Sequence, residues 1–356
     1  MKKYVRGLAV VSVVTLAAVA CGSKPTDDDN AGGANKDFKA CMVSDSGGFD
    51  DKSFNQTSYK GLQDAVKELG IQEVKAESKS DNDYPTNMTA MVQAGCKAIV
   101  AVGFKLQDAT DKAAAANPNI KFAVVDSGPK TPVANIKPLF FNTAEPSFMA
   151  GYLAAGMSQT GKVGTFGGIK IPPVTIFMDG FAEGVRHYNK TKSKNVQVLG
   201  WDDAKQEGLF TANFEDKAKG QTTGQNLITQ GADIVFPVAG PAGLGALQAA
   251  KASGGKVNAI WVDTDGCESA AEYCDVLVSS VKKGMDVAVK DAIKSAVEDK
   301  FSNAPFTGTL ENNGVGLAEF HNFDSKVPAE LKTELEQIKA DIIAGKITIA
   351  SKAQPL

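Results

Sequence analysis

Residues 40–70 read ACMVSDSGGFDDKSFNQTSYKGLQDAVKELG, and this stretch decides the fold class. Its first five residues are an apolar run typical of a buried strand. The polar segment that follows contains two glycines, which allow a tight turn. Leu62, Ala65, Val66 and Leu69 then recur at helical spacing, and Gly70 supplies a helix stop. We therefore predict a strand, a turn at its carboxyl end and a helix, the repeating unit of an α/β protein.

The same alternation continues along the chain. Short apolar runs predict strands at 40–44, 98–102, 122–125, 162–166, 196–199, 234–238 and 259–262. Longer segments with helical spacing lie at 62–69, 151–157, 180–188, 287–297 and 331–342. One sheet of this size would be unusually wide, so we expect two doubly wound parallel-sheet lobes, each with helices on both faces. Ligands of such sheets bind beyond the carboxyl ends of the strands, which places the expected site in the cleft between the lobes.

The N-terminus has the pattern of an export signal. Residues 1–20 begin with positive charge, continue with a short apolar run and end in small residues directly before Cys21. We expect cleavage there and lipidation of Cys21, followed by a flexible tether over residues 21–36, which contain no large apolar side chain. The folded part would then be lipid-anchored on the extracytoplasmic face of the cell membrane. The alternative is an ordinary secretory signal with an incidental cysteine.

The amino-acid composition narrows the classes of ligand and activity that this protein can have. The net charge is −3, and no basic patch is visible, which argues against nucleic acid as a partner. The only arginines are Arg6, within the expected signal, and Arg186, so a site for phosphate or carboxylate is disfavoured and a neutral ligand is favoured. His187 and His321 are the only histidines, which disfavours histidine-based catalysis and metal binding. Paired carboxylates at the strand ends leave a glycosidase open.

Four cysteines remain beside Cys21, an even number in an exported chain. Cys267 and Cys274 lie seven residues apart around a short loop, so a local disulfide is predicted. Cys41 and Cys96 each begin an apolar run, and a second disulfide is predicted if those strands are neighbours. The alternative for the second pair is two buried free thiols.

Aromatic and polar side chains follow several of the predicted strands. Ser53 is a candidate N-cap, which places Phe54 and Asn55 in the first helical turn, at the edge of the cleft. Phe54 is either a flat platform for a ring or a staple that fixes the helix end to the core. The other candidates are Asp126, Phe214 near a helix start, the segment Gly240–Gly243, the acids Asp263 and Asp265, and the cations Lys282 and Lys283.

The order of motifs is specific. DSGGFDDKSFNQ is followed by VVDSG, FGGIKIPPV, GFAEGV, NFEDKAKGQ, ADIVFPVAGPAGLGAL, VDTDG and SSVKKGMDVAV. Over essentially the whole mature chain, this series resembles the basic membrane protein family, lipoprotein substrate-binding components of nucleoside ABC importers. The resemblance implies a type I periplasmic-binding-protein fold. The expected N-terminal lobe comprises residues 37–142 and about 282–322, and the C-terminal lobe comprises 143–281 and about 323–356.

The resemblance also implies roles for single residues. Phe54 and Phe214 are expected to stack on a base, with Asn55 and Asp126 at its edge and Asp45 close to the ligand. Gly240, Asp265 and Lys283 are expected on the ribose side. Lys283 is preferred to Lys282 because Asp286 completes a K-x-x-D spacing. The family often has glutamine after the second acid, whereas here Gly266 and Cys267 follow Asp265, so the register of the two acids is open.

The sequence therefore predicts a monomeric, lipid-anchored protein that binds nucleosides, with purines favoured, and delivers them to an ABC permease. No catalytic residue, metal or cofactor is expected. The alternatives are a receptor for another neutral, sugar-like ligand and, less favoured, a nucleosidase or glycosidase on the same scaffold.

Overall fold

The computed structural model describes residues 35–355. The expected signal peptide, the lipidation site Cys21 and nearly all of the tether lie outside this range, so those predictions stay predictions. Within the described range, no helix combines the length and the apolar character needed to cross a membrane.

The described chain alternates between strands and helices from its first strand onward. The strands are β1 Lys39–Ser44, β2 Gln72–Glu77, β3 Ala98–Val102, β4 Lys121–Val125, β5 Ile136–Phe141, β6 Lys162–Gly167, β7 Gln197–Leu199, β8 Trp201–Asp202, β9 Glu207–Gly208, β10 Ile234–Val238, β11 Asn258–Asp263, β12 Leu277–Lys283, β13 Phe306–Gly308 and β14 Val315–Leu317. The α-helices are α1 Phe54–Leu69, α2 Asp83–Gln93, α3 Gln107–Ala116, α4 Ala144–Met157, α5 Pro172–Lys192, α6 Lys217–Thr229, α7 Gly243–Ala252, α8 Gly266–Ser269, α9 Met285–Val297 and α10 Ala329–Ile343.

Two six-stranded sheets organise the molecule, which confirms the predicted fold class. The first has the strand order β13-β5-β4-β3-β1-β2 and is parallel throughout. The second has the order β14-β12-β11-β10-β6-β7 and is parallel except where β14 runs antiparallel to β12. We call the parts built on these sheets the N-terminal and the C-terminal lobe.

The chain passes between the lobes three times. It crosses after β5, again between β12 and α9, and finally between β13 and β14. Helix α9 packs on α1 of the N-terminal lobe, whereas α10 packs on α4 of the C-terminal lobe. The sequence analysis assigned residues 282–322 to the N-terminal lobe, but the structure divides this segment between the lobes. Helix α9 and strand β13 belong to the N-terminal lobe, whereas the end of β12 and all of β14 lie in the sheet of the C-terminal lobe.

Glycines on α4 and α5 allow these two helices to pack backbone against backbone. A β-carbon built on Gly184 would lie 1.9 Å from the carbonyl oxygen of Phe148, and one on Gly151 would lie 2.0 Å from that of Phe181. Any side chain at either position would force the helices apart. This close packing fixes α5, whose N-terminal half faces the cleft between the lobes.

Both predicted disulfides are confirmed. Cys41 on β1 pairs with Cys96, next to β3, because β1 and β3 are neighbours in the first sheet. Cys267 pairs with Cys274 across seven residues. A crosslink stabilises mainly by restricting the unfolded chain, and the restriction grows with loop length.

Removal of the long-loop disulfide is therefore expected to cost more stability than removal of the short-loop one. We expect the double variant Cys41→Ala/Cys96→Ala to lose about 2 kcal/mol more unfolding free energy than Cys267→Ala/Cys274→Ala, given loops of 55 and seven residues. Chemical denaturation of both variants beside the wild type measures this difference. Equal losses would show that the crosslinks do not act through the unfolded chain.

Candidate functional site

A cavity lies between the two lobes, at the carboxyl ends of their strands. The empty space within it, including space that is open to solvent, is about 550 Å³. Its lining residues come from both lobes: Asp45, Ser46, Asp51, Phe54, Asn55, Gly103, Phe104, Asp126, Ile171, Pro173, Val174, Phe177, Phe214, Val238, Ala239, Gly240, Pro241, Val262, Asp263 and Lys283. This is the position that the strand-end rule predicts for a ligand site.

Lys283 is the one cation that lines this cavity in the described chain, and it lies among four carboxylates. Its Nζ is 2.5 Å from Asp126 Oδ2, and only 3% of the residue is exposed. The same ammonium lies 4.9 Å from the ring centre of Phe54 and 5.4 Å from that of Phe177. Because Lys283 ends β12 and Asp126 follows β4, this ion pair joins the lobes inside the cavity.

The backbone bends sharply at two of the carboxylates. Asp126 has a φ of +65° and Asp263 a φ of +70°, a region that residues with side chains rarely adopt. Burial raises the pKa of both carboxyl groups, and the positive charge of Lys283 opposes that rise. Strained backbone and buried charge both cost stability, and both are concentrated where function needs a fixed geometry.

Asp51 caps helix α1 in place of the predicted Ser53. Its carboxylate accepts hydrogen bonds from the backbone N–H groups of Ser53 at 2.9 Å, Asn55 at 2.9 Å and Gln56 at 3.0 Å. Ser53 occupies the N-cap position, but its hydroxyl caps nothing. It donates instead to Asp263 Oδ2 at 2.7 Å, in the other lobe. Burial raises the pKa of Asp51 to about 6, although the three N–H donors favour its charged form.

Asn55 and Asp45 form a polar pair on the N-terminal side of the cavity. Asn55 Nδ2 donates to Asp45 Oδ1 at 3.0 Å, whereas Asn55 Oδ1 is buried without a partner. Burial raises the pKa of Asp45 to about 8, and the charges of Asp51 and Asp126 add to the effect. This rise in pKa favours the protonated form of Asp45, which offers an O–H donor. Gly103, at φ +123°, leaves it room, since a β-carbon there would lie 2.4 Å from Asp45 Oδ2.

Four phenylalanines line the cavity. Phe54 faces it and also packs against the main core, so its position is compatible with both sequence interpretations, and its role as a platform for a ring stays a prediction. Phe214 lies over Gly168, where a β-carbon would come within 2.3 Å of the ring. Phe104 is 36% exposed at the cavity wall. Phe177 was missed from sequence because it lies within the long helix α5, where nothing in the pattern distinguishes it from a core residue.

The structure brings together seven of the eight ligand-binding candidates. These are Asp45, Phe54, Asn55, Asp126, Phe214, Gly240 and Lys283, and their binding roles stay predictions. Lys283 rather than its exposed neighbour Lys282 lines the cavity, as the K-x-x-D spacing indicates. The sequence analysis also missed Asp51 as a member of the cavity wall.

Asp265 does not line the cavity, whereas Asp263 does. Asp265 caps the short helix α8 by accepting from the N–H of Cys267 at 3.0 Å, and it lies 2.7 Å from His321 Nε2. One atom each of Asp265, Cys267 and His321 that could coordinate a metal ion lies within 4.8 Å of the other two. Cys267 is oxidised in the bridge with Cys274, however, which removes the thiolate that a metal would need.

Comparison with known proteins agrees with this architecture. A family model described as ABC transporter substrate-binding protein, PnrA-like, matches residues 38–349. The ABC transporter nucleoside-binding protein BmpA of Lactococcus lactis subsp. cremoris is 32% identical over 373 residues, covering 99% of this chain and 100% of the relative. Basic membrane protein A of Borreliella burgdorferi is 29% identical over 324 residues, covering 89% and 88%.

Solved structures show the same fold. A solute-binding protein of an ABC transporter system from Aeropyrum pernix K1 matches with a TM-score of 0.79 and 25% identity, covering 88% of this chain and 93% of that one. A solute-binding protein from Conexibacter woesei matches with a TM-score of 0.69 at 18% identity, covering 89% and 100%. The chain therefore belongs to the family of PnrA-like ABC transporter substrate-binding proteins, whose members are binding proteins rather than enzymes.

Proposed function

We propose that this protein binds nucleosides, purines in preference, in the cavity between its lobes and delivers them to an ABC permease. A lipid on Cys21 would hold it at the extracytoplasmic face of the cell membrane. The observation that carries the proposal is the composition of the cavity wall, which combines aromatic rings with hydrogen-bonding side chains from both lobes. A full-length relative named as nucleoside-binding supports the same ligand class.

The charge of the wall favours a neutral ligand. Four aspartates line the cavity, and Lys283, the one cation that lines it among the described residues, already pairs with Asp126, so no free cation faces a phosphate group. Phosphorylated nucleosides would add negative charge to a site that lacks arginine. Nucleosides carry ring N–H groups and hydroxyls, which carboxylates and an unpartnered amide oxygen accept.

The cavity wall offers side chains for both halves of a nucleoside. Phe54 and Phe214 are the proposed stacking partners of the base, with Asn55, Asp126 and Asp45 at its edge. A purine covers more of a phenylalanine ring than a pyrimidine does, so stacking favours purines. Gly240, Lys283 and, in place of Asp265, Asp263 are the proposed partners of the ribose.

Calorimetric titration of the purified protein, stripped of co-purified ligand by unfolding and refolding, tests the proposal. The panel is adenosine, guanosine, inosine, cytidine, uridine, the free bases, adenosine monophosphate, ribose and glucose. We expect submicromolar binding of purine nucleosides and far weaker binding of bases, ribose and the monophosphate. Binding of a plain sugar with no response to nucleosides would refute it, and release of free base during incubation would reveal a nucleosidase.

Phe54→Ala and Phe214→Ala are each expected to weaken nucleoside binding at least about tenfold, because stacking on an aromatic side chain contributes about 1–3 kcal/mol per base. The control is Phe301→Ala, a partly buried ring that lies beside Lys121, away from the cavity. Titration with the best nucleoside measures all three. Wild-type affinity in both cavity variants, with their fold intact, would remove these rings from the site.

A further inference from the structure

Two side chains, Trp261 and Ser53, donate hydrogen bonds across the lobes behind the cavity wall. The indole Nε1 of Trp261, on β11 of the C-terminal lobe, donates to the backbone oxygen of Lys52 in the N-terminal lobe at 3.1 Å. In the opposite direction, the hydroxyl of Ser53 donates to Asp263 Oδ2 at 2.7 Å. Trp261 and Ser53 are both fully buried, and neither lines the cavity.

The N-terminal half of this contact is held rigid within its own lobe. Asp51 fixes the turn by accepting from three backbone N–H groups, and the N–H of Lys52 donates to Gln56 Oε1 at 3.1 Å. Lys52 itself has a φ of +64°, a conformation that persists only where the surroundings enforce it. The backbone carbonyl of Lys52 is therefore already oriented to accept from Trp261 when the lobes meet.

The C-terminal half is equally fixed. The Trp261 ring belongs to a core cluster of its lobe, and glycines allow the chain to pack against it. A β-carbon on Gly243 would lie 3.2 Å from Cζ3 of the ring, and one on Gly266 would lie 2.9 Å from Trp261 Cβ. A buried indole N–H that loses its acceptor costs the full desolvation free energy of that group. Opening of the lobes must therefore either expose this N–H to solvent or leave it buried without an acceptor.

We infer that Trp261 and Ser53 form a closure latch, which sets ligand affinity by stabilising the closed arrangement of the lobes without touching the ligand. When only the closed state binds tightly, the apparent dissociation constant is the intrinsic one divided by the closed fraction. Loss of a latch bond lowers that fraction by the same factor whatever the ligand. Side chains in the cavity wall, in contrast, change affinity ligand by ligand. The expected effect on ligand affinity rests on the proposed function, whereas the expected opening of the lobes does not.

The chain supplies a matched control for Trp261→Phe. Trp201, the other tryptophan, is also buried, and its indole Nε1 donates to Asp179 Oδ1 at 3.0 Å within the C-terminal lobe. Trp261→Phe and Trp201→Phe thus each remove one indole hydrogen bond, but only the first removes one between lobes. Ser53→Ala breaks the other latch bond and spares the cap of α1, which Asp51 provides.

The experiment combines small-angle X-ray scattering on ligand-stripped protein with calorimetric titration of the same variants. We expect Trp261→Phe and Ser53→Ala to increase the radius of gyration. Trp261→Phe should weaken every binding ligand of the panel by one common factor of about ten. Ser53→Ala also removes a hydrogen bond from Asp263, a proposed ribose partner, so its test is the opening of the lobes. Trp201→Phe should lower the melting temperature and leave both readouts unchanged. Stopped-flow measurement should place the loss in faster dissociation.

Unchanged affinity in both latch variants, with circular dichroism showing an intact fold, would overturn the latch. A loss in Trp261→Phe that differs strongly between ligands would also overturn it, because it would indicate direct contact. If no nucleoside binds, the proposed function fails, and scattering alone then decides the latch: equal radii in wild type and variants would refute it. If Trp261→Phe does not fold, the radius of gyration of Ser53→Ala still tests the latch.

Discussion

Lys283→Met is expected to weaken nucleoside binding by roughly a hundredfold or more and to lower the unfolding free energy by about 3–5 kcal/mol. Lys283 is 3% exposed and pairs with Asp126 at 2.5 Å. Methionine keeps the length and most of the packing of the side chain but removes the charge. Asp126 would then be buried beside Asp45 and Asp263 with no cation to offset it, and that uncompensated charge is the source of the cost.

The control is Lys282→Met, the neighbouring lysine on the same strand. Lys282 is exposed, so its replacement should leave affinity and stability near the wild-type values. The double variant Lys283→Met/Asp126→Asn removes both charges and should recover much of the stability without recovering the binding. Denaturant titration and calorimetry measure the two effects separately. Wild-type binding by Lys283→Met would show that this lysine does not serve the ligand.

The strands missed from sequence show what periodicity cannot detect. β2, QEVKAE, is an edge strand with several exposed residues, so it has no continuous apolar run. β5, IKPLFF, contains Pro138, which argues against a strand by pattern alone. The buried strands β1, β3, β4, β6, β10 and β11, in contrast, were predicted nearly to their ends. Sequence therefore identifies strands that are continuous apolar runs, whereas an exposed strand such as β2 and a proline-containing strand such as β5 form because of their tertiary contacts.

The choice between Asp263 and Asp265 also lay beyond sequence reasoning. Both acids follow the same apolar run two residues apart, and in a regular strand they would face the same side. The chain instead turns at Asp263, where φ is +70° and the N–H of Thr264 donates to the oxygen of Val262 at 2.9 Å. This tight three-residue turn leaves Asp263 in the cavity and directs Asp265 toward α8 and His321.

Asp45→Asn is expected to become more stable than the wild type as the pH rises. Burial holds the pKa of Asp45 at about 8 in the folded protein, against 3.8 in the unfolded chain. Between these values the folded state binds a proton that the unfolded state has released, so wild-type stability falls with rising pH at up to about 1.4 kcal/mol per unit for this group. Asparagine carries no charge at any of these pH values and retains an acceptor for Asn55.

The difference in unfolding free energy between Asp45→Asn and wild type should therefore grow from about pH 4 to pH 8 and then level off. Asp51, Asp126 and Asp263 are present in both proteins, so their own titration largely cancels. The control is Asp202→Asn, whose side chain is 41% exposed and whose pKa is lowered by its hydrogen bond with Lys205. That group titrates below 3.8, so its difference should be flat over the same range.

This pH series also bears on the site, because a protonated Asp45 donates a hydrogen bond that an ionised one cannot. If the Asp45→Asn difference is flat between pH 4 and pH 8, Asp45 is ionised in the folded protein, and only acceptors face the ligand on that side. If it rises as expected, Asp45 and the unpartnered Asn55 Oδ1 present a donor and an acceptor side by side. Such a pair matches the edge of a base better than the uniform hydroxyls of a sugar.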